Sequence, residues 1–201
     1  MSTEFDAIPG VPASARRALA EAGYPEGFGV TVHGSGNRFV MDSEVTLAIG
    51  QMLAHGGITV NRVEVRPYAA YTAKAAAGEY PIFLFSYGNT SGESSRGLSN
   101  LFHSRDPTRD LGTLNRTRYS NEEFDLTIAA ALQEFDEVER ERLLQHAAEI
   151  VFMHDNALIP LYFESAVWAA RKGLRVVPRR DLRTLAMSVS PVNQAAGEQD
   201  R

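Results

Sequence analysis

The chain has no cysteine, which excludes disulfides, thiol nucleophiles and cysteine-ligated zinc. It has a single tryptophan and no excess of basic charge: 20 Lys and Arg stand against 25 Asp and Glu, a net charge of −5. A nucleic-acid partner needs a basic face, so this balance argues against one. No apolar run approaches the length that spans a bilayer. The start, Met1-Ser2-Thr3-Glu4-Phe5-Asp6, lacks the basic segment and apolar core of a signal peptide. The expectation is therefore a cytosolic protein or a piece of a longer exported chain. Internal repeats and low-complexity tracts are absent too.

Motifs for catalysis and metal binding are also missing. His33, His55, His103, His146 and His154 are scattered, and none forms the His-Glu-x-x-His pair of a zinc protease. His154-Asp155 reads as a complement to a helix dipole rather than a metal pair. Gly34-Ser35-Gly36 follows a strand but lacks the third glycine of a dinucleotide fingerprint. Gly92 to Gly97 misses the spacing of a nucleophile elbow. Arg105, Arg109, Arg116 and Arg118 read as a solvated basic loop beside acids. The expectation is a protein that is not an enzyme, with no catalytic residue, cofactor or metal.

What is present is enough apolar sequence for a real core: 44% hydrophobic against 22% charged in 201 residues. Ser14 can cap a helix that stops at Gly23. Phe28, Val30 and Val32 alternate with Gly29, Thr31 and His33, which is strand-like. A helix from Ser43 places Val45, Ile49, Met52 and Leu53 on one face. A strand over Thr59 to Arg66 ends at Pro67, and an alanine-rich helix runs from Tyr68 to Ala77. Ile82-Phe83-Leu84-Phe85-Ser86 reads as a strand buried on both faces. It runs into Tyr87 and then the polar stretch Gly88 to Ser95, the way α/β proteins present a ligand loop. Ser120-Asn121-Glu122-Glu123 has the form of a capping box, with Phe124, Ile128, Ala131 and Leu132 facing inward. A further helix from Asp136 buries Leu143, Ala147, Ile150 and Val151. Ala157 to Phe163 and Ala166 to Arg171 are strand candidates, with Pro160 suggesting an edge.

Several spaced motifs resemble one family. Leu19-Ala20-Glu21-Ala22-Gly23-Tyr24-Pro25-Glu26-Gly27-Phe28 is similar to a segment of the peptide-type (family 5) periplasmic solute-binding proteins of ABC importers. Ala48 to Leu53 with Gly57-Ile58 resembles the family's next helix and strand entry. Tyr119-Ser120-Asn121-Glu122-Glu123-Phe124-Asp125, Ile159-Pro160-Leu161-Tyr162 and Trp168 to Leu174 follow in the family's order. The resemblance covers about residues 14–190, and only the carboxyl-terminal part of such proteins.

The resemblance implies an α/β, type II periplasmic-binding-protein-like distal lobe. Its mixed sheet, flanked by helices, would use strands near Phe28, Val60, Ile82 and Leu158, without its partner lobe. It implies a leader over 1–13, a solute-binding lobe over 14–157, a return crossover over 158–190 and a disordered tail over 191–201. The implied function is solute capture outside the cytoplasm, for peptides or similar small polar solutes. The implied partners are that ligand, the importer's permease subunits and an amino-terminal lobe. Self-association through residues 158–176 is expected where that lobe is missing. The alternative is the ligand-sensing domain of a regulator with the same fold.

The implied ligand residues are Tyr87, Asn89, Thr90, Ser91, Glu93 and Tyr162. The family usually has Trp where Tyr87 stands and Asp where Thr90 stands. In peptide-binding members that Asp pairs with the ligand's α-amino group. Threonine supplies no charge, and Glu93 is the candidate substitute. A sugar, a capped peptide, an opine-like compound or another polar solute is left open.

Overall fold

A computed structural model describes residues 12–89, 92–179, 181 and 183–192. Most of the expected leader, most of the expected tail, and Thr90 and Ser91 lie outside them. The described residues form two compact units. The first runs to Tyr87 and takes in Leu114–Arg118; the second comprises Gly88–Thr113 and the chain from Tyr119 onward.

In the first unit the order is α1 (Pro12–Glu21), β1 (Gly29–Ser35), α2 (Asp42–His55), β2 (Thr59–Arg66), α3 (Tyr68–Ala77) and β3 (Ile82–Phe83). Helix α1 starts at Pro12, two residues before the expected Ser14 cap, because proline's fixed φ suits the first helical position. It ends at Glu21; Gly23, at φ 89°, turns the chain beyond it, and the Tyr24 N–H reaches back to the Leu19 carbonyl at 2.8 Å. That six-to-one bond is the closure a left-handed glycine allows.

The strands form a parallel sheet in the order β2-β1-β3. Strand β1 is central, and Val32 to Ser35 are all buried, as a strand covered on both faces requires. The run at Ile82 is half-buried, contrary to the expected strand buried on both faces. It pairs only with β1, so it is an edge. The described sheet is parallel throughout, and the segment near Leu158 adds no strand to it; Pro160 has no N–H to donate.

Helix α2 faces the sheet with Asp42, Thr46 and Gly50, one residue per turn. Val45, Ile49 and Leu53 are only half-buried beside them, and Met52 is 71% exposed. A Cβ on Gly34 of β1 would lie 2.1 Å from Thr46 Oγ1, and one on Gly50 would lie 2.7 Å from Val63 Cγ2 of β2. The helix therefore sits against the sheet at a separation that glycine permits. On the sheet's other side, His33 stacks on Tyr80 at 4.0 Å, and Tyr80 on Tyr71 at 5.6 Å.

The second unit holds α4 (Ser95–Leu101), α5 (Glu122–Gln133), α6 (Glu137–Glu149), a π turn (Ile150–His154), and an antiparallel pair, β4 (Leu174–Val176) with β5 (Val189–Pro191). Its core gathers Leu98, Phe102, Phe124, Ile128, Ala131, Leu144, Ala147, Ile150 and Val151. Leu144 rather than Leu143 is the buried residue of its pair, with Leu143 packed at the margin. Phe102 meets Tyr119, Phe124 and Phe152 edge-on at 5.5–6.2 Å, the geometry ring quadrupoles favour.

The cap of α5 is Asn121, not Ser120. Its Oδ1 accepts from the Phe124 N–H at 3.1 Å, while Ser120 Oγ pairs with Ser104 Oγ at 2.8 Å. The helix start expected near Asp136 is found there, and Asp136 caps α6, accepting from the Val138 and Glu139 N–H groups. After the π turn, residues 157–171 form neither helix nor strand, and Ile159, Phe163 and Val167 are exposed.

His33 is buried, with Glu64 Oε2 3.6 Å from its Nδ1. Loss of hydration lowers its pKa below 6.5, Glu64 opposes this, and Arg66 and Lys74 add to it. The unfolded chain then binds the proton more readily just below pH 6.5, so stability falls as pH drops through that window. Urea midpoints measured between about pH 7 and about pH 5 should decline for the native chain and decline less for His33→Gln. Parallel declines would contradict this reading.

Candidate functional site

Because the three strands run parallel, they end on one edge: β1 at Ser35, β2 at Arg66 and β3 at Phe83. Carboxyl edges of such sheets are where α/β folds hold ligands. The loop after β1 is shaped by Asp42. Its Oδ2 accepts from Ser35 Oγ at 2.7 Å and from the Arg38 and Phe39 N–H groups at 3.1 and 3.2 Å. Burial pushes this carboxyl upward, but the bonds from Ser35, Arg38, Phe39 and Ser43 outweigh it and hold the pKa below 3.8. Asn37 Oδ1 accepts from the Tyr68 N–H at 2.8 Å, which fastens this loop to the start of α3. The Arg38 guanidinium lies 5.5 Å from the Phe39 ring and 5.4 Å from the Tyr68 ring.

The third chain at this edge leaves β3. The Leu84 N–H donates to the His33 carbonyl at 2.8 Å, and the Tyr71 hydroxyl donates to the Leu84 carbonyl. Phe85 lies under the Arg116 guanidinium at 4.8 Å, and Tyr87 is half-buried. Burial raises the Tyr71 hydroxyl well above its ordinary 10, against the pull of Arg116. The phenol stays neutral and free to donate.

In the second unit the polar loop is braced from within. Asn89 Nδ2 donates to the Glu93 carbonyl. The Glu93 carboxylate accepts from Ser95 Oγ and from Arg140, with Nη2 at 2.8 Å and Nε at 3.2 Å. Arg140 Nη1 also donates to the Ala131 carbonyl at 2.5 Å, so a single guanidinium joins the loop to the end of α5. The structure thus brings Asn89 and Glu93 together and gives Glu93 a cation within the protein. Tyr162 stands on the irregular segment and is 58% exposed.

Sequence reading did not single out Asn37, Asp42, Arg38 or Arg140. Asp42 stood in plain view one residue before the proposed helix start, where an Asx residue ahead of a helix is a capping signal. Arg140 lies in an ordinary charged helix with nothing to distinguish it. Elsewhere in the second unit, His103 is buried at the base of an open hollow of about 360 Å³ that also takes in Arg105, Asp106 and Asp125. The His103 Nδ1 lies 2.6 Å from the Ser104 carbonyl and 3.6 Å from Asp125 Oδ1, a structural arrangement of ring, backbone and carboxylate. Among the described residues no three His, Asp or Glu side chains gather as metal ligands.

The profile of the bacterial extracellular solute-binding proteins, family 5 (Middle), matches residues 2–109. Glutathione-binding protein GsiB of Salmonella paratyphi A (strain ATCC 9150 / SARB42) is 34% identical over 169 residues, covering 81% of this chain and 32% of its own. GsiB of Escherichia coli (strain K12) is 34% identical over 167 residues, with the same coverage. The chain thus spans about a third of the length of the curated relatives it matches. DppA from Helicobacter pylori, an ABC transporter-associated periplasmic binding protein solved with the peptide STSA, aligns with TM-score 0.61. It is 27% identical, over 69% of this chain and 26% of its own. HbpA2 from Haemophilus parasuis aligns with TM-score 0.70 over 90% of this chain and 35% of its own; at 23% identity it shows the fold alone.

The Glu93–Arg140 pair is open to a direct measurement of its strength. Glu93 is 39% exposed and Arg140 28%, so water screens the pair. A double-mutant cycle with Glu93→Gln and Arg140→Met should give a coupling of about 0.5–1 kcal/mol in denaturant unfolding. A coupling of zero would mean that the brace contributes nothing to the fold.

Proposed function

We propose that this chain, which belongs to the bacterial extracellular solute-binding proteins of family 5, captures a small polar or peptide-like solute outside the cytoplasm for an ABC importer's permease. Its work is binding without chemistry. The observation that carries the reading is the carboxyl edge of the parallel sheet leading into the polar loop after Tyr87, in a chain similar to glutathione- and peptide-binding proteins. A rigid strand that delivers an aromatic residue and then polar groups suits a ligand that is flat on one face and hydrogen-bonding at its rim.

The roles follow from chemistry. At the sheet edge Tyr87 supplies an aromatic wall; in the second unit Asn89 offers a polar group and Tyr162 an exposed ring. Glu93, paired with Arg140, shapes the loop more than it offers charge. With Thr90 in place of the family's aspartate, and the nearby acid already matched by a cation, the loop favours a solute end that lacks an ammonium group. A charged ammonium brought there would lose hydration without gaining a carboxylate of its own.

The exposed apolar residues Ile159, Leu161, Phe163 and Val167 favour association of the isolated chain, because water gains by leaving such a patch. Light scattering across a concentration series should show mass rising above the monomer. Phe163→Lys with Val167→Lys should restore a monomer. A native chain that stays monomeric at every concentration would contradict this.

The binding reading is tested by NMR titration of the protein with reduced glutathione and, separately, with the peptide Ser-Thr-Ser-Ala. At least one should shift the backbone amides of Tyr87, Asn89 and Glu93 in a saturable way. Shifts confined to α5 and α6, or none with either solute, would remove the support for a peptide-like solute at this loop.

A further inference from the structure

Of the four arginines in the basic loop, Arg116 behaves unlike two whose partners are defined. Arg109 pairs with Asp106, Nε to Oδ2, at 2.6 Å. Arg118 donates to the Ala77 carbonyl at 3.0 Å. Arg116 lies over the Phe85 ring at 4.8 Å. Its Nη1 is buried and has no hydrogen-bond partner, and no acid pairs with the side chain, among the described residues. Native folds rarely leave a buried donor unmatched, and a charged donor is the most expensive kind to leave so.

The location gives the unmatched donor a meaning. Phe85 follows β3 on the carboxyl edge of the sheet and precedes Tyr87 by two residues. The ring holds the guanidinium through a cation–π contact at 4.8 Å. Tyr71, the neighbouring hydroxyl, is already turned toward the Leu84 carbonyl. The guanidinium is thus held beside the chain that leaves β3, at the edge where this fold class binds ligands. A guanidinium matches a carboxylate better than any neutral acceptor, because two parallel charge-assisted bonds form at once.

We propose that Arg116 is an anion-binding residue of the solute site, and that the solute it accepts presents a carboxylate to the end of β3. The inference rests on the solute-binding reading above and adds the charge of the ligand group. It also gives the unmatched donor of Arg116 an acceptor in the complex, the carboxylate of the ligand.

The test uses the protein labelled at arginine side chains, titrated with N-acetylglycine and, separately, with N-acetylglycinamide. N-acetylglycine should shift the Arg116 Nε–Hε resonance and the amide should not. Ser-Thr-Ser-Ala should bind about tenfold or more tightly than its carboxyl-terminal amide. Arg116→Met should abolish that acid-to-amide preference, and Arg116→Lys should keep part of it. A merely structural arginine would weaken both peptides together and leave their ratio unchanged. Equal response of Arg116 to acid and amide, or an unchanged ratio in Arg116→Met, overturns the proposal. If neither peptide binds, the solute reading fails by itself, and the N-acetylglycine titration still decides for or against Arg116.

Discussion

The closeness of helix α2 to strand β1 is the constraint on which the first unit depends. Thr46 would collide with any side chain larger than hydrogen at Gly34, and Val63 with any at Gly50. Small residues on both sides let the helix come down until its first turn reaches the end of β1. There Asp42 can gather Ser35 and the backbone of Arg38 and Phe39. A helix held further out by leucines would leave that carboxylate short of its donors. The loop at the carboxyl edge would then lose the bonds that shape it, and Asn37 its fixed path to the Tyr68 N–H. Packing distance, capping chemistry and loop geometry are therefore one arrangement.

The second unit solves a different problem with longer side chains. Its aromatic core is centred on Phe102 and Phe124, while Arg140 and Asn121 join its edges. Asn121 caps α5 with its oxygen and donates its amide to Asp155 at 2.7 Å. Tyr119 also donates to Asp155. Those two bonds hold the Asp155 carboxyl below its ordinary value and fasten the exit of the π turn. Beyond it the chain turns through Asn156, φ 48°, into the exposed apolar segment.

Much of this was readable in the residues, and the misses share a cause. The helices over α2, α3, α5 and α6 follow from apolar spacing, and Gly23 and Gly78 stop their helices as glycine should. Family membership was legible because its motifs recur in order along most of the chain. The buried face of α2 was not legible, since apolar periodicity points to Val45, Ile49, Met52 and Leu53 and cannot see that the contact is made by Thr46 and Gly50. The run from Ile82 reads as a strand buried on both faces because composition reports apolar character, while having one neighbour or two is decided by the sheet. The cap fell on Asn121 rather than Ser120 because Ser120 was engaged by Ser104, sixteen residues away. For the same reason nothing in the sequence separates Arg116 from Arg109. One has an aspartate three residues back, and the other meets an aromatic ring thirty-one residues away.

The proposed function requires a solute at the carboxyl edge of the parallel sheet, against the chain that leaves β3. A crystal structure of the protein grown with the solute that co-purifies with it tests this most directly. Ligand density is expected in contact with Tyr87 and within hydrogen-bond reach of the chain between Leu84 and Asn89. Density at the amino edge of the sheet, or against α5 and α6 with the carboxyl edge untouched, would contradict it.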